Sequence, residues 1–238
     1  MPWATHMTTA VRTGGPGASG LSVLVIATNS PGLTHRRIAN SGQKAGGASF
    51  VELDNVRVPT AHLVGAENAG FPIIMRNFNK ERYIMAVACN RKARTCLAES
   101  FAYAHTRHTF GKPLIANQII AAKLATLARY VESHWAWLEQ LAFHIQAADS
   151  NGWQDGRIAG QIALAKVHAG RILEMASREA QQVFGGAGYQ KGGGPGAVVE
   201  QISRDLRMQV VGGGSEEIIA DLAIRQEGKL ARGRGWKL

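Results

Sequence analysis

Three consecutive glycines, Gly212 to Gly214, precede Ser215, Glu216 and Glu217 in the stretch VVGGGSEEII, residues 210–219. Ser215 reads as a helix N-cap, and the two glutamates fall in the first turn, where the helix dipole favours negative charge. Bare backbone at a helix N-terminus is also a place to hold a phosphate or another anion. A second stretch, NFNKERYIMAV (77–87), puts Glu81 and Arg82 inside a long, mostly apolar helical pattern. A carboxylate against apolar walls is harder to ionise, which suits a general base. The alternative is that both charges lie on a solvated face. In RHTFGKPL (107–114), Arg107 and Thr109 are able to bond an anionic group. The same residues also read as a plain helix connection in which Gly111 turns and Pro113 starts the next helix. In QVFGGAGY (182–189), Gly185 reads either as a left-handed C-cap or as a point of close approach to a ligand. That segment lacks the strand-then-helix setting of a dinucleotide fingerprint. The histidines occur singly apart from His105 and His108, and no His/Cys cluster has metal spacing, so no metal site is expected.

These groups must be positioned by two kinds of structure. Residues 7–66 read as β: a short TTAVRT, then LSVLVIA (21–27) and ASFVELDNVRV (48–58), separated by turn signals. Three strands with an open edge make only part of a sheet. From about Phe71 the apolar period becomes helical. One stripe runs through Phe71, Ile74, Met75, Phe78, Arg82, Met85 and Cys89 toward Ala104. A second contains Leu124, Leu127, Val131, Trp135, Leu138, Leu141 and Ile145, with Trp135 expected in the core. A third runs from Ile162 to Val183, and shorter helices are expected near 197–208 and 215–226. The expected fold is mostly α: a C-terminal antiparallel four-helix bundle over 69–238, preceded by an incomplete β-sheet domain over 1–68.

The bulk numbers narrow the function classes. The chain has 238 residues, 45% of them apolar, which is enough for a core. Its apolar runs fall short of the ~20 residues a membrane span needs. The start, MPWATHMTTAVRTGG, does not read as a secretory leader. Cys89 and Cys96 sit about two turns apart in one helix, ~10 Å along the axis and too far for a disulfide, so they read as reduced core residues of an intracellular protein. The net charge of +10 is compatible with nucleic acid, with phosphorylated ligands, or with a solvated surface of no specific role. The C-terminal WKL shares only its last two residues with a peroxisomal tripeptide, and Trp236 is too large for the first position.

In order, FVELDNVRVPTAHLVGAENAGF (50–71), NFNKERY (77–83), YAHTRHTFGKPLIANQ (103–118), REAQQVFGGAGY (178–189), ISRDLR (202–207) and GGGSEEI (212–218) resemble the C-terminal part of acyl-CoA dehydrogenases. The resemblance covers about residues 7–227. It implies FAD as cofactor and an acyl-CoA thioester as substrate. It also implies a homodimer or homotetramer, with electron-transfer flavoprotein or oxygen as electron acceptor. Arg107, Thr109 and Phe110 match a segment that reaches FAD across a subunit interface, and Gln118 matches a residue near the same flavin. Gln182, Gly185 and Gly186 match the turn along the adenosine and pyrophosphate. Ser215 and Glu217 match FAD contacts in the last motif.

Many family members carry the catalytic Glu where this chain has Gly213. Other branches carry it in an E-R pair on the first long helix, which here is Glu81 and Arg82. The resemblance therefore implies Glu81 as the base of an α,β-dehydrogenation and Arg82 as a residue of the CoA-binding cleft. It also implies that the N-terminal helical domain and the first half of the β domain of the family are not represented, so that the chain alone is expected to bind FAD weakly and to lack ordinary activity. A non-catalytic helical domain that oligomerises or associates with DNA is the alternative, and nucleic acid is the less favoured partner because no recognised motif for it is present. Mitochondrial, peroxisomal and cytoplasmic locations stay open.

Overall fold

A computed structural model describes residues 2–148 and 156–233; the WKL tripeptide lies outside them. The chain divides into two compact units between Phe78 and Asn79.

The first unit contains two antiparallel hairpins. Strand β1 (His6–Arg12) pairs with β2 (Leu21–Ala27), from His6 opposite Ala27 to Arg12 opposite Leu21. Val23 and Ile26 of β2 are buried. Strand β3 (Leu33–Arg37) pairs with β4 (Ser49–Leu53). The sequence LTHRR of β3 carries no strand signal of its own: four of its five residues are polar, no alternation marks them, and all four are exposed. Its pairing is visible only across the hairpin, where Arg36 lies opposite Phe50 and its guanidinium sits 4.7 Å from the ring centre. The two hairpins are separate two-stranded sheets, not three strands of one partial sheet, and the run 48–58 is a strand only over Ser49–Leu53.

The second unit is helical. Helix α1 (Gly70–Thr106), which enters it from the first unit, is followed by the two-residue strands β5 (His108–Thr109) and β6 (Lys112–Pro113). Helices α2 (Gln118–Ala147), α3 (Gly156–Phe184), α4 (Ala197–Val211) and α5 (Glu216–Gly233) complete it. Asn117 caps α2, its side chain accepting from the Ile119 amide at 3.0 Å. Pro113 thus precedes a short turn and does not open the helix. Helix α3 is the central element, packed against α2, α4 and α5. Its Ala165, Ala169, Ala176 and Ala180 are fully buried, and such small side chains let neighbouring helices approach closely. Against them lie Ala86, Cys89, Ala93 and Cys96 of α1, Leu127, Val131, Leu138 and Leu141 of α2, and Val199 of α4. Both cysteines are free and buried; burial pushes their thiols up to about 11 and about 12.

Trp135 is not in the core as expected. It is exposed, with Arg94 5.7 Å from its ring centre, and His134 takes the buried position on the stripe instead. His134 is paired, which makes its burial tolerable. The Asn90 amide donates to the Val131 carbonyl and to His134 Nδ1, each at 3.0 Å. His134 Nε2 then donates to the Ala165 carbonyl at 3.1 Å, so the neutral ring ties α1, α2 and α3 together. Burial is the main cause that pushes this imidazole down to about 4, with His168 adding to the effect. Since the unfolded ring titrates near 6.5, acid protonates the unfolded chain first. The contribution is complete above that pH and is lost as pH falls toward the folded value, to a total of about 3 kcal/mol. Urea unfolding at about pH 7.5 and about pH 4.5 should show His134→Gln losing about 2 kcal/mol less on acidification than the parent protein. Equal losses would contradict this role.

Candidate functional site

The triple-glycine loop joins α4 to α5, and two neighbouring side chains are tied to it through three backbone carbonyls. Gly213 and Gly214 take left-handed φ values of 68° and 105°, which glycine adopts without strain. The Gly212 amide donates to the Met208 carbonyl at 2.7 Å and closes α4. Arg82 is buried, and its Nε donates to the Gly213 carbonyl at 3.0 Å. Lys166 of α3 is 2% exposed, and its Nζ donates to the Val210 and Gly214 carbonyls at 2.6 and 2.8 Å. Burial lowers the pKa of both cations, offset for Arg82 by Glu81. A side chain at position 213 would put its Cβ 3.2 Å from Met85 Sδ and 3.5 Å from Arg82 Cγ.

Helix α5 begins as expected. The Ser215 carbonyl accepts from the Ile219 amide at 3.0 Å, so Ser215 is the N-cap residue. Glu216 pairs with Arg171 of α3 through two hydrogen bonds of 3.0 and 3.2 Å. Glu217 is held below the usual carboxylate range, first by its own backbone amide and then by the Ser215 hydroxyl. The α5 N-terminus therefore carries its own carboxylate and is not an open anion cradle. A ligand here would meet the Ser215 and Glu217 side chains.

The E-R pair divides between two environments: Arg82 is buried, whereas Glu81 is exposed and lies on a solvated face, not against the apolar walls considered from the sequence. Glu81 immediately precedes the residue that holds the loop, so its helical turn lies at the loop's edge.

The other expected cofactor residues gather at the far end of the bundle. Thr106 lies 24 residues beyond Arg82 on α1, which is about 36 Å along the axis. There β5 and β6 form a tight hairpin, with Phe110 and Gly111 at its tip at φ 51° and 75°. Left-handed backbone is uncommon for a bulky residue, and the Phe110 ring is fully exposed. Arg107 at the base of this hairpin and Gln118 at the start of α2 are exposed, and Thr109 is partly so. The α3 terminus lies beside them: Tyr103 stacks on Phe184 with ring centres 4.4 Å apart, and Ala104, Leu124 and Val183 pack together. Gln182 is exposed, and Gly185 at φ 58° ends α3 as a C-cap. No atom lies within 4 Å of a Cβ placed on Gly185 or Gly186, so their backbone faces open space. Sequence reasoning missed Gln181, whose amide donates to the Gly188 carbonyl at 3.1 Å and to Ser203 Oγ at 3.2 Å, tying the turn to α4.

The structure thus makes two stations: Arg82, Ser215 and Glu217, with Glu81 beside them, and Arg107, Thr109, Phe110, Gln118, Gln182, Gly185 and Gly186. Among the described residues no group of three or more His, Cys, Asp or Glu could hold a metal ion, and no helix is long and apolar enough to cross a membrane.

Residues 68–227 match the sequence model of the acyl-CoA dehydrogenase C-terminal domain, and the chain belongs to the acyl-CoA dehydrogenase family. It is 40% identical over 237 residues to acyl-CoA dehydrogenase apdG of Emericella nidulans, a match covering 99% of this chain and 54% of that protein. It is 42% identical over 228 residues to acyl-CoA dehydrogenase AFT10-1 of Alternaria alternata, covering 95% and 52%. Among solved structures, a putative acyl-CoA dehydrogenase from Mycobacterium smegmatis superposes with a TM-score of 0.87 at 33% identity, covering 94% of this chain and 57% of that one. The chain spans about half the length of the curated relatives it matches.

The two glycine loops should respond differently to a methyl group. Gly214→Ala would place a carbon 2.6 Å from Ile219 Cδ1 on left-handed backbone, and should cost about 1–2 kcal/mol of stability. Gly186→Ala meets no neighbour and should stay within about 0.5 kcal/mol of the parent. Chemical denaturation of both variants measures the contrast; equal costs would contradict the description of the loops.

Proposed function

We propose that this chain supplies the flavin-facing C-terminal half of an FAD-dependent acyl-CoA dehydrogenase, with Glu81 as the base. The observation that carries the reading is the hydrogen bond from Arg82 to the Gly213 carbonyl. It brings the turn bearing Glu81 to the loop position where many relatives carry their base and this chain carries none. In this reading Glu81 takes the proton from the carbon next to the thioester carbonyl. A flavin held beside this loop would supply the hydride acceptor for the β carbon. Ser215 and Glu217 offer a hydroxyl and a carboxylate to the cofactor beside that loop. The second station fits the nucleotide end of a cofactor: Arg107 offers an exposed guanidinium, Phe110 an exposed ring, and Gly185 and Gly186 a backbone that a pyrophosphate can approach.

Some seven helical turns separate the stations, so a second copy of the chain is the simplest way for both to serve one cofactor. The strained, solvent-facing Phe110 supports that arrangement. Because the relatives are about twice as long, the activity is assigned to the chain together with a segment equivalent to their unmatched half.

Fusing the chain to the unmatched N-terminal half of the Emericella nidulans relative tests this. The fusion should be yellow and should bleach anaerobically with a mixed set of acyl-CoAs. Glu81→Gln should keep the colour and slow bleaching by at least about 100-fold, the scale of a lost general base. The chain alone should retain little FAD. A fusion that bleaches equally well without Glu81 would remove the assignment.

A further inference from the structure

We infer that Lys166 is a positioning residue: its buried ammonium fixes the 210–217 loop and so sets where Ser215 and Glu217 stand. Three successive glycines give that loop more conformational freedom than any other residues would, and no side chain within them can restrain it. The restraint has to come from outside. Lys166 supplies it through two carbonyls on either side of the glycine turn, Val210 at 2.6 Å and Gly214 at 2.8 Å, while Arg82 holds Gly213 between them at 3.0 Å.

The geometry suits a cation. Val210 belongs to the last turn of α4, where carbonyls lack helical partners and the helix dipole favours positive charge. Lys166 is also among the largest fully buried side chains of the protein, on the α3 face that receives the loop. A lysine buried to this degree is retained at a desolvation cost, and here its hydrogen bonds go to the loop. The next contact along, Arg171 to Glu216, continues the same tie from α3 into the first turn of α5. Lys166 therefore acts through the loop, without touching a ligand, and links the centre of the bundle to the N-cap of α5.

The cofactor consequence rests on the proposed flavin reading; the loop consequence does not, and the test separates them. Hydrogen exchange of the full chain, followed by mass spectrometry, is compared for the parent and Lys166→Met, which keeps the volume and removes the donors. Amides at 212–219 should exchange at least about tenfold faster in the variant, while those of α2 and the buried part of α1 stay unchanged. Should Lys166→Met not fold, Lys166→Gln carries the same comparison with one donor group retained, and a smaller acceleration confined to 212–219 is expected. Unchanged exchange in the loop, or acceleration spread evenly over the helices, would overturn the inference. FAD titration of the fusion described above, with and without Lys166→Met, is the second arm. Affinity at least about tenfold weaker in Lys166→Met supports the cofactor consequence. No FAD binding by the fusion that carries the parent sequence, with the loop effect intact, would count against the flavin reading alone.

Discussion

Two buried cations on three backbone carbonyls are the interaction on which this site depends. Lys166 and Arg82 come from different helices, and both end on the stretch from Val210 to Gly214. Buried charge is tolerated in a protein interior only where hydrogen bonds replace water. Here the replacement also solves a second problem, because the glycine loop has no side chains with which to hold itself. One set of bonds satisfies the cations, closes the end of α4 and places the start of α5. The Arg82 bond carries a further consequence, since the turn that bears Glu81 is brought to the same loop.

The bundle makes those bonds possible by keeping α3 central. Its alanines allow close packing against α1 and α2, and the His134–Asn90 pair crosses the same three helices with directed hydrogen bonds. Apolar packing tolerates sliding by fractions of an ångström, whereas a buried amide–imidazole pair does not. The level at which Lys166 faces Val210 and the level at which Arg82 faces Gly213 are thus set by the packing around α3. The far end of the bundle is built differently: tight turns at Phe110–Gly111 and at Gly185 expose backbone and one aromatic ring. One station is braced from inside, the other is presented to solvent.

The helices were legible because their apolar residues recur at helical spacing over many turns. The N-cap Ser215 and C-cap Gly185 were legible from local chemistry. What escaped was set by partners distant in sequence. LTHRR pairs as a strand through residues opposite it, and its composition gives no alternation to read. Trp135 outranks His134 in hydrophobicity, yet His134 is inside because Asn90 and the Ala165 carbonyl receive it. Lys166 looks like a solvated lysine until α4 and its loop are laid over it, although it occupies an apolar spacing with Ala163, Gly170 and Leu173. The Arg82 bond joins residues 131 apart. For the site, the sequence resemblance named residues and the structure sorted them into two stations.

The claim that both stations face one flavin is tested most directly by hydrogen exchange of the FAD-loaded fusion against its FAD-free form. The account predicts slower exchange at 107–118, 182–189 and 212–219 together. Protection confined to one of these segments, or found only elsewhere in the chain, would contradict it.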